Sequence, residues 1–359
     1  MAAERRDKFD KLQVSLLCDE DASEETLPKV AFEALVDEFD LHQLIYTVDD
    51  SSTYAHAFNP VTRTWVPITP ADFTHVGGGY ADIKALSNGD IAVFYANATY
   101  IRVTTEAPGM LRPDSFGATD DHPIHHLPSF DERPEFFAVV HLHDDVFALF
   151  DTIFMTNYMK VDLKEDKILE LEENDYYQSD EEDEEEDEGD RAPHWSKFKN
   201  VYSDYHDIGG GKCLLVAEED ENFEFPRTYI LIDAFTRKYE EIPPPYPDAP
   251  ANYAEYVTGM QNGDIFIVGG HLEEELRYTT RCSRFDMRTK QWHRLADSPF
   301  ALTQASLTTL PDGDIMVLTP NETGIFRDDV LIYSPQTNTW TRNETPFRIQ
   351  HEVMRLVLA

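Results

Sequence analysis

Residues 260–292 read MQNGDIFIVGGHLEEELRYTTRCSRFDMRTKQW, and this stretch decides the fold because a repeating unit is written out in it in full. Asn262-Gly263 separates two apolar runs, Tyr253 to Met260 and Ile265 to Val268. Both turn positions tolerate φ > 0, which makes the pair a strong hairpin signal. Gly269-Gly270 follows, then a charged loop, then a third run ending in Phe285-Asp286, with Thr289 and Trp292 at successive offsets of three. The expectation is a small four-stranded antiparallel sheet.

Working outward, the ending of this unit can be laid on the rest of the chain. Phe58-Asn59, Thr62 and Trp65 match it without a gap, as do Ile232-Asp233, Thr236 and Tyr239, and Tyr333-Ser334, Thr337 and Trp340. Val161-Asp162, Glu165 and Ile168 form a degenerate copy, and Val103-Thr104 is the weakest. The anchors at 59, 104, 162, 233, 286 and 334 are spaced by 45, 58, 71, 53 and 48 residues. A period of about fifty residues marks stacked supersecondary units. The chemistry of the spacing is local: an Asp, Asn or Ser after a strand accepts backbone N–H bonds from two or three residues on and closes a turn. The aromatic that opens the next strand then fills the space between one sheet and its neighbour. Upstream of the anchors, Asn88-Gly89-Asp90-Ile91 and Asp312-Gly313-Asp314-Ile315 are near copies of Asn262-Gly263-Asp264-Ile265. Gly209-Gly210-Gly211 and Asp144-Asp145 take the same place with looser chemistry.

On these residues the chain resembles the kelch-repeat family: Gly269-Gly270, Phe285-Asp286 and Trp292 in one unit, and the aromatic endings Trp65, Tyr239 and Trp340 in others. The resemblance covers about residues 41 to 345, and it departs from the family in that the diglycine occurs once. It implies an all-β fold, a β-propeller with one four-stranded blade per repeat around a central channel. Six blades are expected, and a seventh, partial one if both chain ends contribute strands. An open blade edge leaves backbone groups unpaired, so the ring needs closing by an end of the chain. His351 to Leu358 is spaced from Trp340 as an inner strand and belongs beside Gln43 to Val48; Val30 to Leu35 is its rival. Residues 1–28 read as an acidic arm and 29–359 as the propeller, with an acidic low-complexity insertion at 172–192 between blades three and four.

The 359 residues carry 30 basic and 69 acidic side chains, a net charge of −39. Such a field repels nucleic acid and anionic membrane and attracts cationic partners. Neither nucleic acid nor membrane is expected as a direct partner, and no apolar run approaches the roughly 18 residues of a membrane helix. Hydrophobic residues at 41% can supply a sizeable core. Cys18, Cys213 and Cys282 are odd in number and far apart, and no secretory leader is evident, so they read as reduced thiols of a cytoplasmic or nuclear protein. The sequons at Asn97, Asn321 and Asn343 are then assigned no glycan.

The acidic tract is the candidate binding segment: Asp180, Glu181, Glu182, Asp183, Glu184, Glu185, Glu186, Asp187, Glu188 and Asp190. Adjacent carboxylates repel and offer no apolar face, so disorder is expected. Read as function, it grips a basic partner; read as structure, it is a solvated insertion. Without the thirteen acids between Glu172 and Asp190, 30 basic residues still face 56 acidic ones, so the acidity extends well beyond one loop. Ser179 precedes three acids, an acidophilic-kinase context. His141 and His143 share a strand face and with Asp144 or Asp145 supply part of a metal-ligand set; His122, His125 and His126 form a second cluster. A metal site needs three or four converging ligands, so no metal or other cofactor is assigned. Gly77-Gly78-Gly79 and Gly209-Gly210-Gly211 open no helix and lack the means to cradle phosphate. No catalytic residue can be isolated. Trp195, beside the acidic tract, lies outside the repeat. The sequence thus points to a non-enzymatic interaction scaffold, chaperone-like or assembly-factor-like, for a basic protein or tail. A kelch-type substrate adaptor of a ubiquitin ligase, an enzyme using the channel, and a viral or structural assembly component are the alternatives.

Overall fold

A computed structural model describes residues 45–48, 55–60, 63–66, 80–87, 91–95, 99–103, 125–126, 137–151, 158–165, 167–172, 203–217, 228–246, 253–272, 277–302, 305–319, 329–344 and 355–358. The arm, Val30 to Leu35, the acidic tract, Ser179, Trp195 and Cys18 lie outside them.

All regular structure among the described residues is antiparallel β. In chain order come β1 (Ile45–Val48), β2 (Ala55–Asn59) and β3 (Thr64–Val66), then β4 (Tyr80–Ala85), β5 (Ile91–Tyr95), β6 (Thr99–Val103) and β7 (His125–His126). The next group is β8 (Phe137–His143), β9 (Val146–Asp151), β10 (Tyr158–Asp162) and β11 (Lys167–Glu172), followed by β12 (Ser203–Gly209), β13 (Lys212–Ala217), β14 (Thr228–Asp233) and β15 (Lys238–Ile242). The opening unit contributes β16 (Tyr253–Gly259), β17 (Ile265–Leu272), β18 (Arg277–Tyr278), β19 (Cys282–Asp286) and β20 (Gln291–Arg294). Last are β21 (Ser306–Thr309), β22 (Ile315–Thr319), β23 (Asp329–Ser334), β24 (Thr339–Glu344) and β25 (Arg355–Leu358). They form six sheets among the described residues, ordered β25-β1-β2-β3, β4-β5-β6-β7, β8-β9-β10-β11, β12-β13-β14-β15, β16-β17-β19-β20 with β18 on β17, and β21-β22-β23-β24.

In sheets three to five the second and third strands are apolar on both faces because each of these sheets is covered on both sides. In β13, Cys213, Leu215 and Ala217 join a core with Val146, Ala148 and Phe150 of sheet three, while Leu214 and Val216 join one with Ile265, Ile267 and Phe285 of sheet five. Period-2 alternation of the pleat divides one run between two interfaces. Phe266 and Val268 face Ile315, Val317 and Tyr333 of sheet six in the same way.

The first strands touch in a cycle: β25 meets β4, β4 meets β8, β8 meets β12, β12 meets β16, β16 meets β21, and β21 meets β25. β25 pairs with β1 from Ile45↔Leu358 to Val48↔Arg355, the strand addition that the spacing predicts. Approach between first strands is close. A Cβ on Gly259 in β16 would stand 1.8 Å from the carbonyl oxygen of Ile208 in β12.

The repeat ending keeps one register in five of the sheets: Phe58↔Trp65, Val161↔Ile168, Ile232↔Tyr239, Phe285↔Trp292 and Tyr333↔Trp340. Asp286 Oδ1 accepts the N–H groups of Arg288 and Thr289 at 2.9 and 2.8 Å. Asp233 serves Phe235 and Thr236 identically, and Asp162 serves Lys164 and Glu165. Sequence reading missed the residue after each Thr position, which is left-handed in four turns: Arg63, Arg237, Lys290 and Asn338, with φ of 57°, 57°, 56° and 53°.

At Asn262-Gly263 the two apolar runs pair as the hairpin expected there, and of the two turn residues only Gly263 is left-handed, at 84°. Gly263 N–H donates to Met260 O, and Met260 N–H to Asp264 O, both at 2.8 Å. That is a three-residue loop with a left-handed glycine bulge, repeated at Leu310, Gly313 and Asp314. The Val103-Thr104 ending, the weakest copy, differs from the others in where its strand pairs. The partner of β6 is β7, through Thr99↔His126 and Tyr100↔His125, so His125 and His126 of the second histidine cluster lie on a fourth strand, while His122 lies outside the described residues.

Candidate interaction site

Antiparallel order sorts the connections of every sheet to two ends. First-to-second hairpins and third-to-fourth turns lie at one, the hairpin end. Second-to-third loops and sheet-to-sheet connections lie at the other, the connector end. The 173–202 connection therefore leaves β11 and enters β12 at the connector end, and it carries twelve acidic and three basic residues. The β13–β14 loop, 218–227, adds five acids against one base, and Glu273, Glu274 and Glu275 follow β17. The hairpin end is more mixed: its turns bring Arg63, Lys164, Arg237, Arg288 and Lys290 alongside acids such as Asp144, Glu165, Asp264 and Asp312. The acidity is thus unevenly divided between the two ends.

Among the repeat positions, Trp292 and Trp340 join neighbouring sheets. Trp292 Nε1 donates to Pro243 O of sheet four at 2.6 Å, and Trp340 Nε1 to Ala296 O of sheet five at 2.9 Å. Their rings stand 5.0 Å from Phe285 and from Tyr333. Tyr239 keeps the register but is 43% exposed; Arg237 enters that seam, over the Tyr158 ring at 5.5 Å and 3.8 Å from Glu170. Thr289 and Thr236 supply turn N–H groups, and the Thr337 hydroxyl meets that of Thr339. Asn59 is buried and its carbonyl accepts from Arg63 N–H. Gly269 and Gly270, at φ of 70° and 123°, sit where β17 leaves β19 for β18, and a Cβ on Gly269 would meet Leu302 at 3.0 Å. Thr62 lies outside the described residues, whereas Trp65 and Ser334 hold their register places.

Where the first strands converge, sequence reading missed a charged cluster. Lys84 Nζ of β4 donates to Asp207 Oδ2 of β12 at 2.7 Å and lies 3.1 Å from Asp82. The same Asp207 oxygen accepts His141 N–H of β8 at 3.2 Å, so three first strands are tied at one carboxylate. Burial by itself would lower the Lys84 pKa, but Asp207 and then Asp82 outweigh it and hold it above its ordinary value. An ammonium kept charged and spent on two carboxylates is a tie and a poor nucleophile. No local pattern marks Lys84 and Asp207, which are 123 positions apart.

His141 and His143 do not converge on a third ligand: His141 Nε2 is 2.8 Å from Asp144 O and His143 Nδ1 is 3.3 Å from Asp144 Oδ2. Among the described residues no group of three or more His, Cys, Asp and Glu could hold a metal, and no helix is long and apolar enough to cross a membrane. Burial pushes the thiols of Cys213 and Cys282 well above their ordinary pKa, consistent with small core side chains.

Comparison with known proteins agrees with this architecture at the level of the motif. Residues 254–299, the opening unit, match the model of the kelch motif family. An F-box/kelch-repeat protein of Arabidopsis thaliana is 33% identical over 126 residues, 32% of this chain and 33% of the relative. The chain thus spans about a third of the length of the curated relative it matches. Among solved structures, the extracellular domain of a protein described as a hybrid two-component system from B. thetaiotaomicron aligns at 12% identity with a TM-score of 0.41, over 77% of this chain and 29% of that one. The kelch resemblance read from residues 260–292 is therefore supported by a family match on the same residues.

Proposed function

We propose that the protein is a non-enzymatic protein-interaction module: a six-bladed propeller of kelch-like blades, closed by the pairing of β25 with β1, that binds a basic protein or basic tail at its connector end. The cyclic contacts of the first strands support the ring. The observation that carries the partner chemistry is the placement of the most acidic connections, 173–202 and 218–227, at one end of the sheets of a chain with net charge −39. A surface of that sign attracts basic partners and excludes nucleic acid and anionic membrane. Asp180 to Asp190 is the grip, and cytoplasm or nucleus the setting. A ubiquitin-ligase adaptor role is the second reading, favoured by the likeness to an F-box/kelch-repeat protein.

The test compares full-length protein with a version lacking residues 180–190, each used as bait and eluted across a salt gradient into a mass spectrometer. A basic protein released at modest salt and lost with the tract supports the proposal. The same preys on both baits, with none of them basic, would sink it, and ubiquitin-ligase subunits in both eluates would favour the adaptor.

A further inference from the structure

The hairpin end of sheets three and four departs from the repeat. In sheets three to six the second residue after the anchor faces solvent, and Lys164, Arg288 and Gln336 occupy that place in sheets three, five and six. Sheet four puts Phe235 there, 50% exposed. The ring is seated: it lies over Gly211, where a Cβ would come within 2.0 Å of it. It also runs parallel to the His143 ring of the β8–β9 hairpin, with 4° between planes and 6.4 Å between centroids. The His143 side chain is 54% exposed. Beside it Asp144, left-handed at φ 47°, presents a carboxylate side chain that is 85% exposed.

Comparable aromatic faces in this chain are covered by arginine. Arg237 lies over Tyr158, Arg281 and Arg294 over Tyr246, and Arg342 over Phe300, at 5.5, 5.4, 5.7 and 5.5 Å. At Tyr158 the same arginine also faces a carboxylate, Glu170. Among the described residues no arginine covers Phe235.

We propose that Phe235, His143 and Asp144 form a docking site for an arginine-bearing segment of a partner protein, with the guanidinium laid on the Phe235 face and paired with the Asp144 carboxylate. Arginine suits the site better than lysine because its planar, weakly hydrated head stacks on a ring while its N–H groups reach a carboxylate. The inference rests on the basic-partner reading but places a contact at the end opposite the acidic tract, so the two can fail separately.

The probe is a capped Gly-Arg-Gly-Arg-Gly peptide, with its lysine counterpart, titrated at physiological salt into the full-length chain and into the chain lacking residues 180–190. In the latter, the arginine peptide binds more tightly than the lysine peptide. Phe235→Ala weakens it roughly five-fold or more, Asp144→Asn weakens it and flattens its salt dependence, and Phe235→Tyr preserves it. Because Phe235 is half-exposed, these variants keep the parent's melting temperature within a few degrees, and Asp144→Asn with Phe235→Tyr carry the test if Phe235→Ala does not. Equal affinity for Phe235→Ala and its parent overturns the site. Binding only to the chain that retains 180–190 overturns it while leaving the basic-partner reading intact, and binding to neither overturns both. A dimer abolished by Phe235→Ala would assign the patch to a second copy of the chain and overturn it too.

Discussion

Lys84 shows how much a single buried charge can decide. Its side chain is 13% exposed and its partner Asp207 15%, so removing one member leaves the other charged in a poor solvent. Lys84→Met is expected to cost about 3–5 kcal/mol, read as a lower urea midpoint. The pH dependence has a definite sign. The folded pKa is raised by Asp207 and Asp82 over the opposing effect of burial. An unfolded lysine titrates at about 10.4, so the stabilisation is complete below that value and is lost as pH climbs toward the folded pKa. The stability gap between parent and Lys84→Met should therefore narrow above about 10.5; a gap that kept its full size up to about pH 12 would exclude the mechanism. The buried thiols give a second test. Cys213 and Cys282 are fully buried, so alkylation of native protein should leave both unmodified and unfolding should expose them; rapid native labelling of either would contradict this core.

Elements are held at two kinds of glycine, whose substitutions should fail for different reasons. At Gly259 the obstacle is the Ile208 carbonyl oxygen, a backbone atom of the adjoining first strand. Gly259→Ala should force β12 and β16 apart and cost about 1–3 kcal/mol or more. At Gly263 nothing stands within 4 Å of an added Cβ, but φ is 84°, so Gly263→Ala pays only left-handed strain, about 1–2 kcal/mol. Chemical denaturation of the two should separate them: Gly263→Ala leaves the near-ultraviolet spectrum unchanged, while Gly259→Ala alters it. A benign Gly259→Ala would mean the first strands are further apart than described. The closing turns have a weaker, electrostatic counterpart. The Thr289 N–H, aided by that of Arg288, holds the Asp286 carboxyl below its usual range, and its help is present above the unfolded carboxyl pKa and lost as pH falls through the folded one.

At the scale of the whole molecule, early and late parts of the chain meet twice. β25 adds to β1 through four paired residues, and Arg63 pairs with Asp312 at 3.1 Å and with Asp314. The magnitudes are unequal. Arg63 is 35%, Asp312 52% and Asp314 14% exposed, so screening at the partly exposed guanidinium keeps these contacts modest, whereas losing β25 bares an edge of β1 and opens the first-strand cycle. Deleting residues 355–359 should lower the melting temperature far more than Arg63→Ala, and should promote association through the freed edge. Comparable losses from both would make the ion pair, and not the strand, the fastening.

What the sequence determined by itself was everything that closes within about ten residues. An acid at Asp286 or Asp233 captures N–H groups two and three positions on, and the aromatic or Ile168 lands opposite the residue before the acid, because strand pairing across a short turn is local chemistry. The turn at Asn262-Gly263 was legible as a hairpin but not as a bulged three-residue loop, since Gly263 alone satisfies the left-handed position whichever loop length is used. The spacing of β25 also limited its place, because a ring with an open edge leaves backbone groups unpaired. Tertiary structure alone decided which side chains meet across sheets. Lys84 with Asp207, Ile208 O against Gly259 and Phe235 over Gly211 beside His143 depend on the order and closeness of neighbouring sheets. No residue pattern encodes that closeness, because it is set by how all the cores fill at once.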